Sequence, residues 1–292
     1  EVLTHRGPDS LGTFVDENIA LGHTRLSVLD LTESGNQPMT DKESQVTVVL
    51  NGEIYNFPSL KNELIGSGFS FFGTSDTEVL LKTYIKWGIE GLRKLEGIFS
   101  FAIWDSRSKT LILARDRLGI KPLFFAHHNG NLYFASEIKS LLKNSEISKD
   151  INPQSFSEYL WYGNSYEDRT IFKDILSLKP GHWLVQKDKQ FKLFPWWKLE
   201  DFSEKEKFKG SFQDAVIEVR DAIDLSVKRQ LVADVPIALF LSGGLDSSAI
   251  AASAAQHKSL SSFSCGFDFE KGIKELPKAR VVANHLGLDH KE

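Results

Sequence analysis

One short stretch of the sequence has the composition of a phosphate-binding loop: SGGLDSS, residues 242–248. Its two glycines allow the backbone to turn tightly and to bring N–H groups close to an anion. Its three serines can donate hydrogen bonds to phosphate oxygens. Asp246 would repel a bare phosphate, so its presence predicts a bridging Mg²⁺ ion. The residues with a predicted phosphate role are Ser242, Gly243, Gly244, Ser247 and Ser248.

The flanking residues predict where this loop lies in the fold. It follows the apolar run VPIALFL (235–241), which is typical of a strand buried on both faces of a parallel sheet, and it precedes AIAASAA. Ligands bind beyond the carboxyl ends of such strands, where a helix N-terminus adds partial positive charge. The loop lacks the lysine of GxxxxGK[ST], so it is no kinase-type P-loop. The alternative is a glycine-rich turn with a serine or aspartate N-cap, which needs only one such residue.

The segments around the loop predict an α/β domain. Apolar residues from Phe212 to Val227 recur at helical intervals and predict a long amphipathic helix. After the apolar strand we expect a helix over about 247–256, a strand in SSFSCGF (261–267) and a helix over about 275–286. This strand–helix alternation is typical of a parallel sheet.

The first 199 residues predict a different architecture. Short segments rich in Val, Ile, Phe and Tyr predict strands, and helical spacing appears only at about 58–67, 76–88 and 153–162. More short strands are expected around the turn KPGHW. This composition favours an α+β domain. The charged stretch 200–210 is the best linker candidate before the second domain, which begins at 211. The predicted strand segments are GTFVDE, NIALGH, QVTVVLNG, FSFAIWD, TLILARD, PLFFAHH and NLYFAS.

The composition limits which binding partners and which cellular compartment can be expected. The chain has 292 residues, enough for about two domains, with 41% apolar residues and a net charge of −4. No block of Lys or Arg stands out and no apolar run could span a bilayer, so neither nucleic acid nor a membrane is expected as a partner. A single cysteine, Cys265, excludes an internal disulfide and favours a reducing, cytoplasmic compartment. Since the only methionine is Met39, we expect a fragment of a longer protein.

Four further motifs carry a family resemblance: HRGPDS (5–10), HTRLS (23–27), NGEIYN (51–56) and SDTEV (75–79). Each alone is weak, and the last three have structural alternatives: a surface ion pair at Arg25, a hairpin turn at Asn51-Gly52, and a capping box between Ser75 and Glu78. In this order, ahead of SGGLDSS, they resemble the glutamine-hydrolysing asparagine synthetase family. The stretches ARDRLGIKPLF and FASEIKSL resemble that family as well.

The resemblance implies two domains. The first, over 1–199, would be a glutamine amidotransferase domain, an α+β sandwich of the N-terminal-nucleophile type with αββα layers. The second, over 211–292, would be the start of an α/β parallel-sheet domain of the ATP pyrophosphatase type. In that case ATP, Mg²⁺, glutamine and aspartate are the small-molecule ligands, and a homodimer is left open.

Position by position, the resemblance implies a glutamine site. Arg25 would bind the α-carboxylate of glutamine, and Asp76 would accept from its α-ammonium group. The Asn51 amide and the Gly52 N–H would form the catalytic oxyanion hole. Glu53 would line the pocket. The full set of implied glutamine-binding residues is Arg25, Leu26, Ser27, Val28, Leu29, Asn51, Gly52, Glu53 and Asp76.

The resemblance also assigns an ATP site around SGGLDSS. The loop would hold the β and γ phosphates, which leave together as pyrophosphate, with Asp246 as the metal ligand. Phe240, Leu241 and Cys265 would lie on the adenine side. A nucleophilic role for Cys265 is disfavoured, since no nearby motif supplies a base and a lone buried cysteine usually packs as a small hydrophobe.

One departure from the family concerns the nucleophile. The family uses an N-terminal cysteine whose own α-amino group is the base, whereas residue 1 here is Glu. We therefore expect truncation at both ends, with the nucleophile before Glu1 and the acceptor-selecting residues after Glu292.

The implied reaction is glutamine-dependent asparagine synthesis. Glutamine hydrolysis would deliver ammonia to a β-aspartyl-AMP intermediate, with release of AMP and pyrophosphate. Three alternatives stay open: an amidotransferase with another carboxylate acceptor, a sugar-phosphate or phosphoribosyl amidotransferase, and a non-catalytic binding protein that keeps the fold. SGGLDSS argues against the second of these.

Overall fold

The computed structural model describes residues 2–203, 207–266 and 275–292. The chain divides into two compact units, Glu1–Lys205 and Glu206–Glu292. The boundary falls at residues that the structure does not describe, so the predicted domain limits and linker stay a prediction. Within the described residues, no helix has both the length and the apolar character to cross a bilayer.

The first unit is built from eleven strands and five α-helices within its described residues. Short 3₁₀ turns lie at Thr4–Arg6, Glu33–Gly35 and Leu92–Lys94. In chain order the strands and helices are β1 (Ser10–Asp16), β2 (Ile19–Arg25), β3 (Met39–Asp41), β4 (Val46–Ile54), α1 (Phe57–Gly66), α2 (Asp76–Gly91), β5 (Gly97–Asp105), β6 (Thr110–Arg115), β7 (Phe124–His128), β8 (Asn131–Ala135), α3 (Ile138–Leu141), α4 (Pro153–Tyr162), β9 (Ile175–Ser177), β10 (His182–Lys187), β11 (Gln190–Pro195) and α5 (Glu200–Ser203).

A six-stranded antiparallel sheet in the order β11-β10-β6-β5-β4-β3 is the centre of this unit. Alternation along β5 sends its side chains to two different cores. Phe101 and Ile103 pack on the side of α1 and α2, whereas Ala102 and Trp104 pack on the opposite side. Both faces of the sheet are therefore covered, and β5 is almost wholly buried.

The second face of the central sheet packs against two smaller antiparallel sheets, β1-β2 and β8-β7-β9. Leu21 from β2 and Phe125 from β7 belong to this shared core. Helix α3 covers the far side of β7 and β8 through Ile138 and Leu141. The layers are thus helix, sheet, sheet, helix, which confirms the predicted αββα sandwich.

The sequence predicted most of these elements within one to three residues. The elements that it missed, β3, α3 and α5, span three or four residues each, too few to show a hydrophobic period. Helix α2 continues past its predicted end to Gly91, and its helical conformation is interrupted at Gly88, where φ is 63°. The predicted linker begins with one helical turn, α5.

The predicted capping box at the start of α2 is wrong in its second half. Ser75 is the N-cap, and its hydroxyl accepts from the Glu78 N–H. The Glu78 carboxylate does not return to Ser75; it accepts from the N–H groups of Phe72 and Gly73. Glu78 therefore holds the loop that precedes the helix.

The second unit contains a three-stranded parallel sheet in the order β12-β13-β14. The predicted order of helix, strand, helix, strand, helix is confirmed, and β14 was not predicted. Strand β12 keeps only three residues of VPIALFL, and the last residue of SSFSCGF lies outside the described residues. The elements are α6 (Phe212–Gln230), β12 (Ala238–Phe240), α7 (Leu245–His257), β13 (Ser261–Phe263), α8 (Leu276–Leu286) and β14 (Asp289–Lys291).

The predicted burial of this strand on both faces is wrong. Leu239 packs toward a small core formed with α7 and α8. Phe240 points to the other face and is 85% exposed. The apolar run is therefore covered on one side only, since no described helix lies over Phe240.

Candidate functional site

A cavity of about 250 Å³ opens in the first unit between β2, β4 and the N-terminus of α2. Every residue of the predicted glutamine set except Ser27 lines it. Ser27 lies beside it, with its backbone N–H bonded to Asp9 Oδ2 at 2.7 Å. The predicted residues that share the cavity are Arg25, Leu26, Val28, Leu29, Asn51, Gly52, Glu53 and Asp76.

The edge of β4 that faces this cavity is identified by hydrogen bonds on its other side. Gly52 is paired with Phe99 of β5. Both backbone groups of Phe99 bond to Asp116: its N–H donates to the Asp116 carboxylate, and its C=O accepts from the Asp116 N–H. Gly52 and Phe99 thus form a non-hydrogen-bonded pair, so the N–H and C=O of Gly52 point away from β5.

Side chains occupy the backbone groups on either side of Gly52 along this edge. The Leu50 N–H donates to Gln37 Oε1 at 2.6 Å, and the Ile54 N–H donates to Asp76 Oδ2 at 2.8 Å. The Gly52 N–H lies between these two donors and faces the cavity. A Cβ at residue 52 would overlap the Ile98 carbonyl oxygen, and its φ of 134° disfavours other residues. Only glycine fits there.

Asn51 supplies a second donor next to the Gly52 N–H. It lies in the middle of β4, so the alternative of a hairpin turn at Asn51-Gly52 is wrong. Its side-chain amide donates to Ser136 Oγ at 3.4 Å. An amide and a backbone N–H on adjacent residues, both at the cavity, could bind one oxyanion.

Two carboxyl groups, the half-buried Glu53 and the buried Asp76, form the acidic end of the cavity. The two groups lie within hydrogen-bonding reach of each other. Burial, with the neighbouring Asp76 carboxylate, raises the pKa of Glu53, and burial also raises the pKa of Asp76. Two like charges this close are costly, so the pair retains a proton at pH values where exposed carboxyls have lost theirs.

Lys121 lines the cavity and its charge acts on Glu53 in the opposite sense, lowering the pKa. The loop that carries it is held by Asp116, whose carboxylate accepts from the N–H groups of Ile120 and Lys121 at 3.0 Å each. The Arg115 guanidinium donates to the Lys121 and Gly119 carbonyls from the other side. The ARDRLGIKPLF stretch thus places one cation at the acidic pair.

Arg25 is 6% exposed, so the alternative of a surface ion pair is wrong. Its terminal nitrogens donate to the carbonyls of Leu29, Asp30 and Thr32 and to Asn36 Oδ1. The guanidinium therefore holds the loop that forms one wall of the cavity. Its predicted bond to the glutamine carboxylate stays a prediction, and the loop-holding role was not foreseen.

Several other polar residues also line the cavity, and the sequence analysis gave these residues no role. Most of them lie inside the motifs that carried the resemblance, which was a signal for them; Gln37 lies in none. They are Arg6, His23, Gln37, Thr77, Lys121 and Ser136.

The SGGLDSS loop in the second unit leads from β12 into α7. Gly244 is the N-cap of α7, and no side chain caps the first turn. The alternative of a serine or aspartate N-cap is therefore wrong, and Asp246 lies in the first turn, exposed. The hydroxyls of Ser242 and Ser247 bond to each other at 2.9 Å. A Cβ at Gly243, with φ 73°, would lie 2.5 Å from the Ala279 N of α8.

These features fit an anion with a bridging cation. The first-turn N–H groups of α7 keep their partial positive charge free of a side-chain cap. Among the described residues no group of three or more His, Cys, Asp or Glu side chains could hold a metal by itself. Asp246 alone matches Mg²⁺ bound by one carboxylate together with substrate phosphates.

The residues predicted on the adenine side differ in exposure. Phe240 is exposed, whereas the Leu241 side chain is buried in the core with α7 and α8, so only its backbone is available. Cys265 is exposed, and its expected packing as a buried hydrophobe is wrong. The Ser264 hydroxyl donates to the Leu241 carbonyl and joins the ends of β12 and β13.

Comparison with known families agrees with this geometry. Residues 1–197 match the model of the glutamine amidotransferase domain, more than half of the chain. The chain belongs to the glutamine amidotransferase domain family. Residues 218–292 match the asparagine synthase model, so the resemblance drawn from the motifs is confirmed.

Curated relatives match this amidotransferase chain over most of its length. Asparagine synthetase [glutamine-hydrolyzing] 3 of Bacillus subtilis (strain 168) is 42% identical over 88% of the chain and 42% of that protein. Asparagine synthetase [glutamine-hydrolyzing] 1 of the same strain is 38% identical over 99% of the chain and 45% of that protein. Amidase chyE of Penicillium rubens is 35% identical over 99% of the chain and 45% of that protein. The chain thus spans less than half the length of these relatives.

The proton shared by Glu53 and Asp76 should make the folding of this amidotransferase pH-dependent. Because the folded-state pKa of Glu53 lies above its ordinary value of 4.5, the associated stabilisation is complete below pH 4.5 and is lost as pH rises through the folded pKa. As the pH rises above 4.5, we expect the free energy of unfolding to decline less steeply in Glu53→Gln than in the wild type. Urea unfolding at a series of pH values measures this, with the exposed Glu17→Gln as control. Identical slopes in wild type and Glu53→Gln would contradict the shared proton.

The hydrogen bonds of Arg25 predict a stability effect. Lysine keeps the charge but cannot donate to four acceptors in the directions that a guanidinium reaches. We expect Arg25→Lys to lower the free energy of unfolding by about 2–4 kcal/mol. Arg107→Lys is the matched control, since its guanidinium is largely exposed and 3.6 Å from Asp105. A stable Arg25→Lys protein with weakened glutamine binding would show that Arg25 is purely a ligand-binding group.

Proposed function

We propose that the first unit hydrolyses glutamine and that the full-length protein uses the ammonia to make asparagine. Glutamine hydrolysis is supported by the cavity itself. The Gly52 N–H and the Asn51 amide lie there on the same strand as Glu53. The second half of the proposal is supported by the names of relatives such as asparagine synthetase 3 of Bacillus subtilis. It is supported as well by the match of 218–292 to the asparagine synthase model.

In this proposal the acidic pair selects the α-ammonium group of glutamine. Lys121 is the cation whose charge acts on Glu53, so among the described residues two neighbouring carboxyl groups share this one positive partner. An ammonium ion between them would stabilise both charged forms and displace the shared proton. The ordered loop around Arg25 would hold the α-carboxylate. Glutamine would then lie with its side-chain amide toward Asn51 and Gly52.

The oxyanion hole acts on the other end of the substrate. Attack on the glutamine side-chain carbonyl turns its oxygen into an oxyanion, and the Gly52 N–H and Asn51 amide are fixed donors for that charge. The nucleophile implied by the resemblance is an N-terminal cysteine with its own amine as base. Collapse of the tetrahedral intermediate would release the amide nitrogen as ammonia and leave a thioester, which water would hydrolyse to glutamate and the free thiol.

The second unit would bind ATP at SGGLDSS. The first-turn N–H groups of α7 and the hydroxyls of Ser242, Ser247 and Ser248 would hold the β and γ phosphates, with Asp246 on the cation. Mg²⁺ bound there would neutralise charge on the leaving pyrophosphate. The aspartate β-carboxylate would attack the α phosphate and form β-aspartyl-AMP. Ammonia then displaces AMP.

A different acceptor is the second candidate. Two relatives, chyE of Penicillium rubens and chry2 of Gibberella zeae, are named amidases and are 35% and 34% identical to this chain. Both candidates share glutamine hydrolysis and ATP cleavage between the α and β phosphates. Assay of the full-length protein with aspartate and with other carboxylic acids distinguishes them.

Glutaminase activity should separate the roles of the two ends of the cavity. In the full-length protein, Asn51→Ala should lower kcat for glutamine by about 10²–10³, because an oxyanion donor acts mainly in the transition state. Asp76→Asn should mainly raise KM for glutamine. Ammonia-driven synthesis should persist in both variants, with Asn18→Ala in the β1–β2 turn as control. Equal loss of glutamine-driven and ammonia-driven synthesis would argue against both roles.

Adenylation should depend on Asp246. Asp246→Asn should abolish ATP turnover and leave glutamine hydrolysis intact, since an amide cannot supply the negative ligand of the cation. Asp221→Asn on α6 is the control. The unmutated protein should release AMP and pyrophosphate, measured by chromatography of the nucleotide products. Primary release of ADP and orthophosphate would refute the loop assignment. The free energy of unfolding of Asp246→Asn should differ from that of the unmutated protein by less than about 1 kcal/mol. The substitution removes only the interaction of an exposed carboxylate with the helix dipole.

A further inference from the structure

The free edge of β4 is held by side chains in place of a neighbouring strand. Within the described residues, β3 pairs with β4 only from Val46 to Val48, so Leu50 has no strand partner on the cavity side. Two side chains take that place. Gln37 Oε1 accepts from the Leu50 N–H at 2.6 Å, and His23 Nε2 lies 3.1 Å from the Leu50 carbonyl oxygen.

The bond to Leu50 defines the state of the His23 ring. A carbonyl oxygen can only accept, so Nε2 carries the proton in this contact. Burial lowers the pKa of His23, the bond to Leu50 acts in the opposite sense, and the nearby Arg25 charge lowers it again. The net direction favours the neutral ring. The other nitrogen, Nδ1, is buried and has no hydrogen-bond partner among the described residues. The ring therefore serves as a donor to one backbone carbonyl, with no proton relay attached to it.

Gln37 is itself anchored from a third element. Its Nε2 donates to Thr77 Oγ1 at 3.2 Å, at the start of α2. His23 lies in β2, which pairs with β1 along its whole length. Leu50 is thus joined through two side chains to β2 and α2, the same elements that carry Arg25 and Asp76. The cavity walls and the strand between them form one hydrogen-bonded unit.

The position of Leu50 gives these bonds a consequence for catalysis. Its carbonyl belongs to the peptide group that enters Asn51, one residue before the Gly52 N–H. Glycine restrains its own backbone least of all residues, so the direction of that N–H must be set by its neighbours. On one side the neighbour is Leu50, held by His23 and Gln37. On the other it is Ile54, held by Asp76.

We propose that His23 and Gln37 are positioning residues that aim the oxyanion donors of Asn51 and Gly52. This inference rests on the proposed glutamine hydrolysis. Neither side chain needs to touch glutamine. Loss of the His23 donor removes one of the two bonds that hold Leu50 on the cavity side, so the two oxyanion donors lose part of their fixed direction while the carboxylate and ammonium contacts remain.

The test compares three substitutions in the full-length protein. His23→Leu removes the donor at similar volume, and His23→Gln keeps an N–H donor near the position of Nε2. Gln37→Leu removes the acceptor of the Leu50 N–H. We expect His23→Leu to lower kcat for glutamine hydrolysis about 10- to 100-fold, short of the loss for a direct oxyanion donor, with KM changed less than about 3-fold. His23→Gln should recover most of kcat, and the exposed His127→Leu serves as control.

A second measurement does not depend on activity. Amide hydrogen exchange, followed by NMR, should be faster at Leu50 in His23→Leu and in Gln37→Leu than in the wild type and in His23→Gln. Unchanged exchange in a folded His23→Leu protein would overturn the proposal, whether or not the wild type hydrolyses glutamine. If the wild type hydrolyses glutamine, an unchanged kcat in His23→Leu overturns it too. A wild type without glutaminase activity counts against the proposed function alone. A pH profile that loses a limb in His23→Leu and in His23→Gln would indicate acid–base chemistry instead.

Discussion

A strand edge that faces a cavity must satisfy its backbone groups without a neighbouring strand, and this constraint organises the first unit. Buried N–H and C=O groups left without partners are costly. Along β4 the requirement is met by side chains: Gln37 and His23 at Leu50, and Asp76 at Ile54. The Gly52 N–H between them is the group directed at the cavity. A ligand oxygen is the natural partner for such a donor.

The same arrangement brings two carboxyl groups together in the cavity. Glu53 projects from β4, and Asp76 bonds to the Ile54 N–H of the same strand. Burial, together with the neighbouring Asp76 carboxylate, raises the pKa of Glu53, which a well-paired carboxyl would not show. Sites that bind a cationic group often hold such excess negative charge, because the ligand supplies the missing partner. Asp76 therefore accepts from the backbone, and in the proposed function it would also be the counterion for a ligand.

Glycines with positive φ serve both units in a similar way. At Gly52 a Cβ would meet the Ile98 carbonyl, and at Gly243 it would meet the first turn of α8. In each case the close backbone approach leaves N–H groups pointing at open space: the edge of β4 in one unit, and the uncapped start of α7 in the other. In the proposed function both sites would offer fixed backbone donors to an anion, an oxyanion in the first and phosphate in the second.

The sequence by itself determined the elements and the membership of the cavity. Two-residue and helical periods depend on local chemistry, so β4, α2 and α7 were predicted nearly in place, and motif order brought Arg25, Asn51, Gly52, Glu53 and Asp76 together. Tertiary structure alone decided how those groups are used. Lys121 faces Glu53 only because Asp116 folds its loop, and Gln37 reaches Leu50 from a segment without a motif. The partners of Arg25 are backbone carbonyls, which carry no sequence signal. Hydrogen bonds between backbone and distant side chains depend on how the chain folds back on itself, and no local pattern encodes them.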